Sequence, residues 1–154
     1  MALTPTTAAN LGRHLLEATK AGGMRGICDA LVKVAAEGYE FVVGRMRINM
    51  TKQDLANYVL HHHKVYDDVV PDHQLIPEDA IGEGNRLHVV LRHHCTVPNG
   101  EICEFRVVFL IRLDDNGRVR YMEEVFDSAL AAPLVNAIGA ELMKGLPAHL
   151  QPTG

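Results

Sequence analysis

Two β-rich runs on either side of a turn signal constrain the fold of this chain more than any other feature. Residues 101–113 and 118–127 are rich in Val, Ile, Phe and Tyr, and Asp114-Asp115-Asn116-Gly117 separates them. Asn-Gly favours a tight hairpin because both residues tolerate positive φ. The second run carries carboxylates near its end: Glu123, Glu124 and Asp127. Such acids belong in a strand where they face a cavity or an interface, which places ionisable groups on a rigid sheet.

The composition is that of an ordinary globular protein. The chain has 154 residues, 47% hydrophobic and 22% charged, so a single domain over residues 1–154 is expected. A net charge of −4 disfavours nucleic-acid binding, which needs a clustered basic surface. No apolar run reaches about 18 residues, so no membrane span is expected. Residues 1–10 lack the pattern of a signal peptide, and these features together predict a cytoplasmic protein.

No motif for a cofactor is present. Cys28, Cys95 and Cys103 form no Cys-x-x-Cys pair, which disfavours zinc-finger and thioredoxin-like sites and favours buried, reduced thiols. Glycine-rich nucleotide motifs, the P-loop and Gly-x-Ser-x-Gly are also missing. We therefore expect no cofactor.

The runs of histidine do not predict a metal site. Residues 61–63 are three consecutive histidines on a predicted helix, where neighbouring side chains point about 100° apart. His93 and His94 point to opposite faces of a strand. No metal ligands are therefore predicted, although nine histidines keep that alternative open.

Caps and turns divide the chain into helices followed by strands. Thr4-Pro5 is typical of a helix start, Gly22-Gly23 ends that helix, and Gly38 ends a second one. A third helix runs from Thr51, where Thr51-x-x-Asp54 resembles a capping box, to Pro71. The other predicted segments are a short strand, an irregular stretch, four strands and a C-terminal helix: 39–43, 44–50, 73–81, 86–97, 101–113, 118–127 and about 131–145.

This order predicts an α+β fold, because the helices are segregated from an antiparallel sheet. Long strands in so short a chain must curve. A curved antiparallel sheet wrapped on the N-terminal helices forms a cone with a cavity between the layers, followed by the C-terminal helix. We expect the core over about residues 7–128.

The hairpin turns allow the strand register to be predicted. If Asn99-Gly100 is a two-residue turn, His93 lies opposite Arg106 and His94 lies opposite Phe105. The next turn places Phe109 opposite Glu124, and Ile111 opposite Met122. One sheet face then holds these residues: Val90, Arg92, His94, Phe105, Val107, Phe109, Ile111, Met122, Glu124 and Phe126.

That face is the more apolar and aromatic one, so we assign it to the cavity. The other face, which would hold His93 and Arg106, is expected to cover a second subunit and make a homodimer. A one-residue slip in register would exchange the two faces.

Glu124, His94 and Arg92 then become ionisable groups in an apolar cup, and His62 approaches it from the third helix. Burial raises the pKa of a carboxyl and a nearby cation lowers it, so Glu124 could act as an acid or base near neutral pH. The alternatives are a structural salt bridge from Glu124 to Arg92 or Arg120, and a sheet histidine at His94 with a purely structural role.

Several segments resemble the nuclear-transport-factor-2-like, or SnoaL-like, cone family. The resemblance covers roughly Arg25 to Ser128, and its last part lies close to fungal natural-product biosynthesis members. The similar segments are Val70-Pro71-Asp72-His73, Ile81 to Val89, Cys103-Glu104-Phe105, Asn116-Gly117-Arg118-Val119 and Glu124 to Ser128. Those fungal members commonly carry Asn-Glu-Tyr and Glu-Phe-Val-Asp-Ser, from which Cys103, Phe105 and Val125-Phe126 depart.

The resemblance implies an enzyme of secondary metabolism that works without a cofactor on a small, mostly apolar polyketide or terpenoid. Isomerase, cyclase and dehydratase activities are all represented in this family, as is epoxide hydrolysis, where an acid falls at the position matching Glu124. We expect Glu124, His94 and His62 to be catalytic. Substrate-binding residues are expected at Arg92, Arg47, Tyr66, Phe105, Phe109 and Met122.

Two other functions stay open at this point. The cone could be a binding module for a small molecule or a protein, with no chemistry. It could also be a metal-dependent lyase that uses His94 with His62 or His88.

Overall fold

The computed structural model describes residues 7–151 and has three helices, six strands and a short 3₁₀ helix. The helices are α1 (Ala8–Val34), α2 (Lys52–Val69) and α3 (Ser128–Met143). The strands are β1 (Ala35–Val43), β2 (Met46–Met50), β3 (Gln74–Glu83), β4 (Arg86–Thr96), β5 (Ile102–Leu113) and β6 (Val119–Phe126). The helices pack on the inner face of one curved sheet, so the predicted α+β cone is confirmed.

The first two predicted helices form one kinked element. Gly23 has φ of 59° and ψ of −139°, which interrupts α1 where the Gly22-Gly23 break was expected. The helix begins at Ala8, and the Thr7 side chain caps it by accepting a hydrogen bond from Asn10 N. Thr4 and Pro5, the predicted start, lie outside the described residues.

The predicted cap of the third helix is confirmed, and a further cap lies at Asp127. Thr51 and Asp54 form a reciprocal capping box at the start of α2. The Asp127 carboxylate accepts hydrogen bonds from the backbone N–H groups of Ala129 and Leu130, at 2.9 and 3.1 Å. The cap starts α3 at Ser128, earlier than the predicted 131.

The sheet has the order β2-β1-β6-β5-β4-β3, and β1 and β6 are parallel while the other neighbours are antiparallel. The four-stranded antiparallel meander was predicted, but β2 was wrongly predicted as irregular. Apolar and polar residues alternate in β2, as in a strand with one buried face: Ile48 and Met50 are buried, while Arg47 and Asn49 are exposed. The β1–β2 turn uses Gly44 at φ of 58°.

The predicted β5–β6 register is correct, and Phe109 pairs with Glu124. The predicted β4–β5 register is wrong by one residue, since His93 pairs with Phe105 and Arg92 with Arg106. The cause is the loop length. Val97 N donates to Glu101 O, so Pro98-Asn99-Gly100 is a three-residue loop with Gly100 at φ of 91°, not a two-residue turn.

This slip changes which β4 side chains face the helices. His93 lies on the inner face with the buried residues Leu91 and Cys95. Arg92 and His94 lie on the outer face, contrary to the prediction, because alternate residues of a strand point to opposite sides. The β5 and β6 residues keep their predicted faces.

Candidate active site

A mostly apolar cavity of about 210 Å³ lies between the inner sheet face and helices α2 and α3, and we call it the inner cavity. Its polar or ionisable lining groups are few: Cys28, Tyr39, Tyr58, His62, Tyr66, His93 and Glu124. The rest of its wall is aliphatic, aromatic or methionine, including Met24, Met46, Met50, Met122 and Met143. Methionine side chains are flexible and polarizable, so this wall can adapt to ligands of different shape.

Glu124 is the one carboxylate among the described residues of this wall. It lies on β6 between Val43 of β1 and Phe109 of β5, its register partners on the same face. Among residues 7–151 no hydrogen bond offsets the burial of its carboxylate. Burial raises the pKa of this carboxyl from 4.5 to about 7. Glu124 can therefore hold or release a proton near neutral pH.

Three tyrosines line the same cavity as this carboxyl. Tyr58, His62 and Tyr66 are four residues apart on α2 and share one helix face, while Tyr39 comes from β1. Burial, and then the charge of Glu124, raise the pKa of Tyr39, Tyr58 and Tyr66. All three are neutral phenols at physiological pH and can donate a hydrogen bond to a ligand.

Burial also keeps Cys28 from acting as a nucleophile. The pKa of its thiol is raised to about 12, first by burial and then by the charges of Glu124 and Asp29. Only a thiolate attacks efficiently, so this cysteine is part of the wall.

His62 and His93 are neutral imidazoles. Burial lowers the pKa of both side chains from 6.5 to about 3, with smaller effects from neighbouring histidines. The His62 ring stacks on Tyr66 at 4.5 Å between centroids, and the His93 ring stacks on Phe105 at 4.6 Å. Among the described residues, His62 Nδ1 is the one buried side-chain nitrogen or oxygen without a hydrogen-bond partner.

The inner cavity brings together five of the predicted site residues: Glu124, His62, Tyr66, Phe105 and Met122. Phe109 is buried in the core beside Glu124 and is not part of the lining.

Three predicted site residues lie elsewhere. Arg92 pairs with Glu78 and Glu104 on the outer face at 2.9 and 3.0 Å. His94 shares that face because of the register slip. Arg47 is on β2, is 67% exposed in its side chain, and pairs with Glu40 at 3.0 Å.

Sequence reasoning missed Tyr39, Tyr58 and His93. The spacing of Tyr58, His62 and Tyr66 by four residues was a usable signal on α2. Nothing local distinguishes His93 from His94, because their faces depend on the length of the hairpin loop that follows them.

The lining contains no Lys or Arg within the described part of the chain. A ligand with a permanent negative charge would lose its hydration without gaining a counter-ion there. The cavity is therefore suited to an uncharged molecule.

The arrangement also separates the histidines of the metal alternative. His62 lines the inner cavity, while His88 and His94 lie on the outer face of β4. Across residues 7–151, no three His, Cys, Asp or Glu side chains are grouped closely enough to hold a metal ion. None of the helices described has the length and apolar character needed to cross a membrane.

No family model and no curated protein matches this sequence. Solved structures do match. A nuclear-transport-factor-2-like protein of unknown function from Burkholderia pseudomallei is 18% identical, with a TM-score of 0.61 over 86% of this chain and 98% of its own. A proposed SnoaL-like polyketide cyclase from Jannaschia sp. is 18% identical, with a TM-score of 0.60 over 91% and 98%. PrhC from Penicillium brasilianum is 13% identical, with a TM-score of 0.59 over 90% and 93%.

The chain therefore has the nuclear-transport-factor-2-like, or SnoaL-like, cone fold, as its sequence motifs predicted. The likeness covers most of both chains and includes a fungal protein. At these identities it defines the fold, and the activity has to be argued from the inner cavity.

Proposed function

We propose that this protein is an acid–base isomerase, cyclase or dehydratase for a small, uncharged, mostly apolar polyketide or terpenoid. The observation that carries the proposal is the single carboxyl of Glu124 in an apolar cavity, with a pKa raised to about 7 by burial. A group with this pKa can be a base in one step and an acid in the next.

The neighbouring donors fit such chemistry. The Glu124 carboxylate would remove a proton from the carbon next to a carbonyl, and a phenol such as Tyr58 would donate to the enolate oxygen that forms. Return of the proton to another carbon gives an isomer, and loss of a β-hydroxyl gives a dehydrated product. Tyrosines and neutral histidines would take the role predicted for Arg92 and Arg47.

The comparisons support a natural-product substrate. One similar structure is described as a proposed polyketide cyclase, another as a proposed hydroxylase, and a third was crystallised with polyporic acid. The methionine-rich wall also suits a flexible or multi-ring apolar compound.

A simple ketone tests the proposal without the natural substrate. 2-Tetralone is uncharged, bicyclic and apolar, and its acidic C–H bonds exchange with D₂O, which NMR follows directly. We expect the protein to accelerate this exchange above the buffer rate. Binding of 2-tetralone with exchange no faster than in buffer would contradict the enzymatic proposal and favour the binding module.

We also propose a homodimer formed through the outer sheet face. Val90, Val108 and Leu110 are half-buried there, and Val125 is 45% exposed, beside the ion pairs of Arg92. Apolar side chains among paired charges suit an interface between two copies.

Sedimentation can test the dimer. We expect the wild-type protein to sediment as a dimer and Val125→Glu to sediment as a monomer, because the new carboxylate would be buried unpaired. Leu60→Glu is the matched control, since Leu60 lies on α2 and is 68% exposed. A monomeric wild-type protein would contradict the proposal.

A further inference from the structure

A second cavity lies behind the wall that carries His93. This outer cleft has a volume of about 590 Å³, lies between the kink of α1 and the turn after α2, and is lined by the exposed residues Lys20, Arg25, Asp67 and Gln74. His73 lines the outer cleft, and His93 lines the inner cavity. Tyr66 lines both, so it forms part of the partition between them.

A hydrogen bond between two histidines crosses this partition. His73 Nε2 lies 2.8 Å from His93 Nδ1, and the ring centroids are 5.0 Å apart. Each ring is held by an aromatic neighbour, since His93 stacks on Phe105 and Tyr66 meets His73 edge-on at 4.6 Å. The pair is therefore fixed in a geometry that allows a proton to move between the two nitrogens.

The second nitrogen of each ring has access to open space. Neither His93 Nε2 nor His73 Nδ1 makes a hydrogen bond within the described residues. Both atoms are exposed to open space, because among residues 7–151 His62 Nδ1 alone is a buried side-chain nitrogen or oxygen without a partner. His93 Nε2 therefore reaches the inner cavity and His73 Nδ1 reaches the outer cleft.

Both rings are neutral, which a relay requires. Burial lowers the pKa of His93 to about 3 and that of His73 to about 4, while the charge of Asp72 acts in the opposite direction on His73. A neutral imidazole has one N–H and one bare nitrogen, so each ring can accept a proton on one side while it donates on the other.

We propose that His93 and His73 form a proton relay between the inner cavity and solvent in the outer cleft. A proton from the bound molecule adds to His93 Nε2, the His93 Nδ1 proton moves to His73 Nε2, and the His73 Nδ1 proton leaves to water. Each ring gains one N–H bond and loses one, so both stay neutral and no electrons are transferred. The reverse transfer restores the starting tautomers.

This inference rests on the proposed acid–base function and extends it. Glu124 exchanges one proton with the ligand, and the relay gives the inner cavity a second proton route that does not require the ligand to leave. His93 would contact the ligand, whereas His73 acts through His93 as a positioning residue.

The first test is the exchange of the His93 ring proton with water, measured by NMR on protein with ¹⁵N-labelled histidine. Tetralin, which has no acidic proton, is bound in the inner cavity to close the direct route for water, and methionine methyl signals report its occupancy. We expect His73→Gln to slow this exchange by about 10²-fold, as for loss of a positioned proton carrier, because the Gln amide can hold the hydrogen bond but cannot pass a proton. His94→Gln, on the outer face, is the control.

Equal exchange in the wild-type protein and His73→Gln would overturn the relay. A second measurement needs no variant. The ring ¹⁵N shifts of the wild-type pair should be averages of two interconverting tautomers, and a single fixed tautomer would also overturn it. The two proposals can fail separately. If His73→Gln slows ring exchange but the wild-type protein does not accelerate 2-tetralone exchange, the relay stands and the proposed enzyme is contradicted. If ring exchange in His73→Gln is as fast as in the wild-type protein, which does accelerate 2-tetralone exchange, the enzyme stands and the relay is overturned.

Discussion

Replacement of Glu124 by Gln is expected to lower the rate of 2-tetralone exchange by about 10²- to 10⁴-fold, the contribution typical of a positioned acid–base group. The glutamine amide keeps the shape of the side chain but cannot take up or release a proton. Because the wall around Glu124 is apolar, no second carboxylate can replace it there. The ketone should still bind, since its contacts are with the unchanged wall.

The wild-type rate should depend on pH in a defined direction. With a pKa of about 7, Glu124 is mainly a carboxylate above neutrality and mainly a neutral acid below it. Proton abstraction should therefore rise as pH increases through about 7 and then level off. Glu123→Gln is the matched control, because the neighbouring Glu123 accepts a hydrogen bond from Tyr121 and points away from the cavity. A rate for Glu124→Gln equal to that of Glu123→Gln would refute the role of Glu124.

The Glu124→Gln variant also separates the effect of this side chain on activity from its effect on stability. The folded pKa of Glu124 exceeds its unfolded value of 4.5, so the native state is destabilised as pH rises through this range. Above pH 7 the cost is about 3 kcal/mol, which Gln removes. Glu124→Gln should thus be more stable than the wild-type protein in alkaline urea titrations and similar to it below pH 4, while its exchange rate stays low throughout.

Acid should unfold this protein because three of its histidines, one buried and two half-buried, are held without charge. The pKa values of His62 and His93 are lowered from 6.5 to about 3, and that of His73 to about 4. Protons then bind the unfolded chain more strongly than the native one. The stability is complete above pH 6.5 and is lost as pH falls below it, by about 3 kcal/mol for each histidine at pH 4.

Together these losses are comparable with the whole stability of a domain, which is about 5–15 kcal/mol. We therefore expect cooperative acid unfolding between about pH 4 and 5, followed by circular dichroism. Glu124 acts in the opposite direction between pH 7 and 4.5, so the effect is clearest in Glu124→Gln.

His93→Gln tests the cause. It should lower the free energy of unfolding at pH 7.5, where the hydrogen bond to His73 is weakened, but should flatten the pH dependence by about 3 kcal/mol between pH 6.5 and 4. His94→Gln should leave that slope unchanged. An identical slope in the wild-type protein and His93→Gln would mean that the imidazole of His93 is not the source of the acid sensitivity.

Local sequence signals determined most of the elements, two of the helix caps and one side of the site. The Asp114 to Gly117 turn defined the β5–β6 register, and that register placed Glu124 and Met122 on the cavity face. The capping box at Thr51 and the cap at Asp127 were equally local. These features depend on residues close together in the chain, so the sequence alone was sufficient.

Only the tertiary structure decided the other side of the site. The odd length of the Pro98 to Gly100 loop reversed the faces of β4, which turned His93 inward and Arg92 outward. The contact between His73 and His93 joins residues twenty positions apart, and it depends on how the turn after α2 packs against the sheet. Successive side chains of a strand point to opposite faces of the sheet, so one additional loop residue decides which of two adjacent histidines faces the cavity.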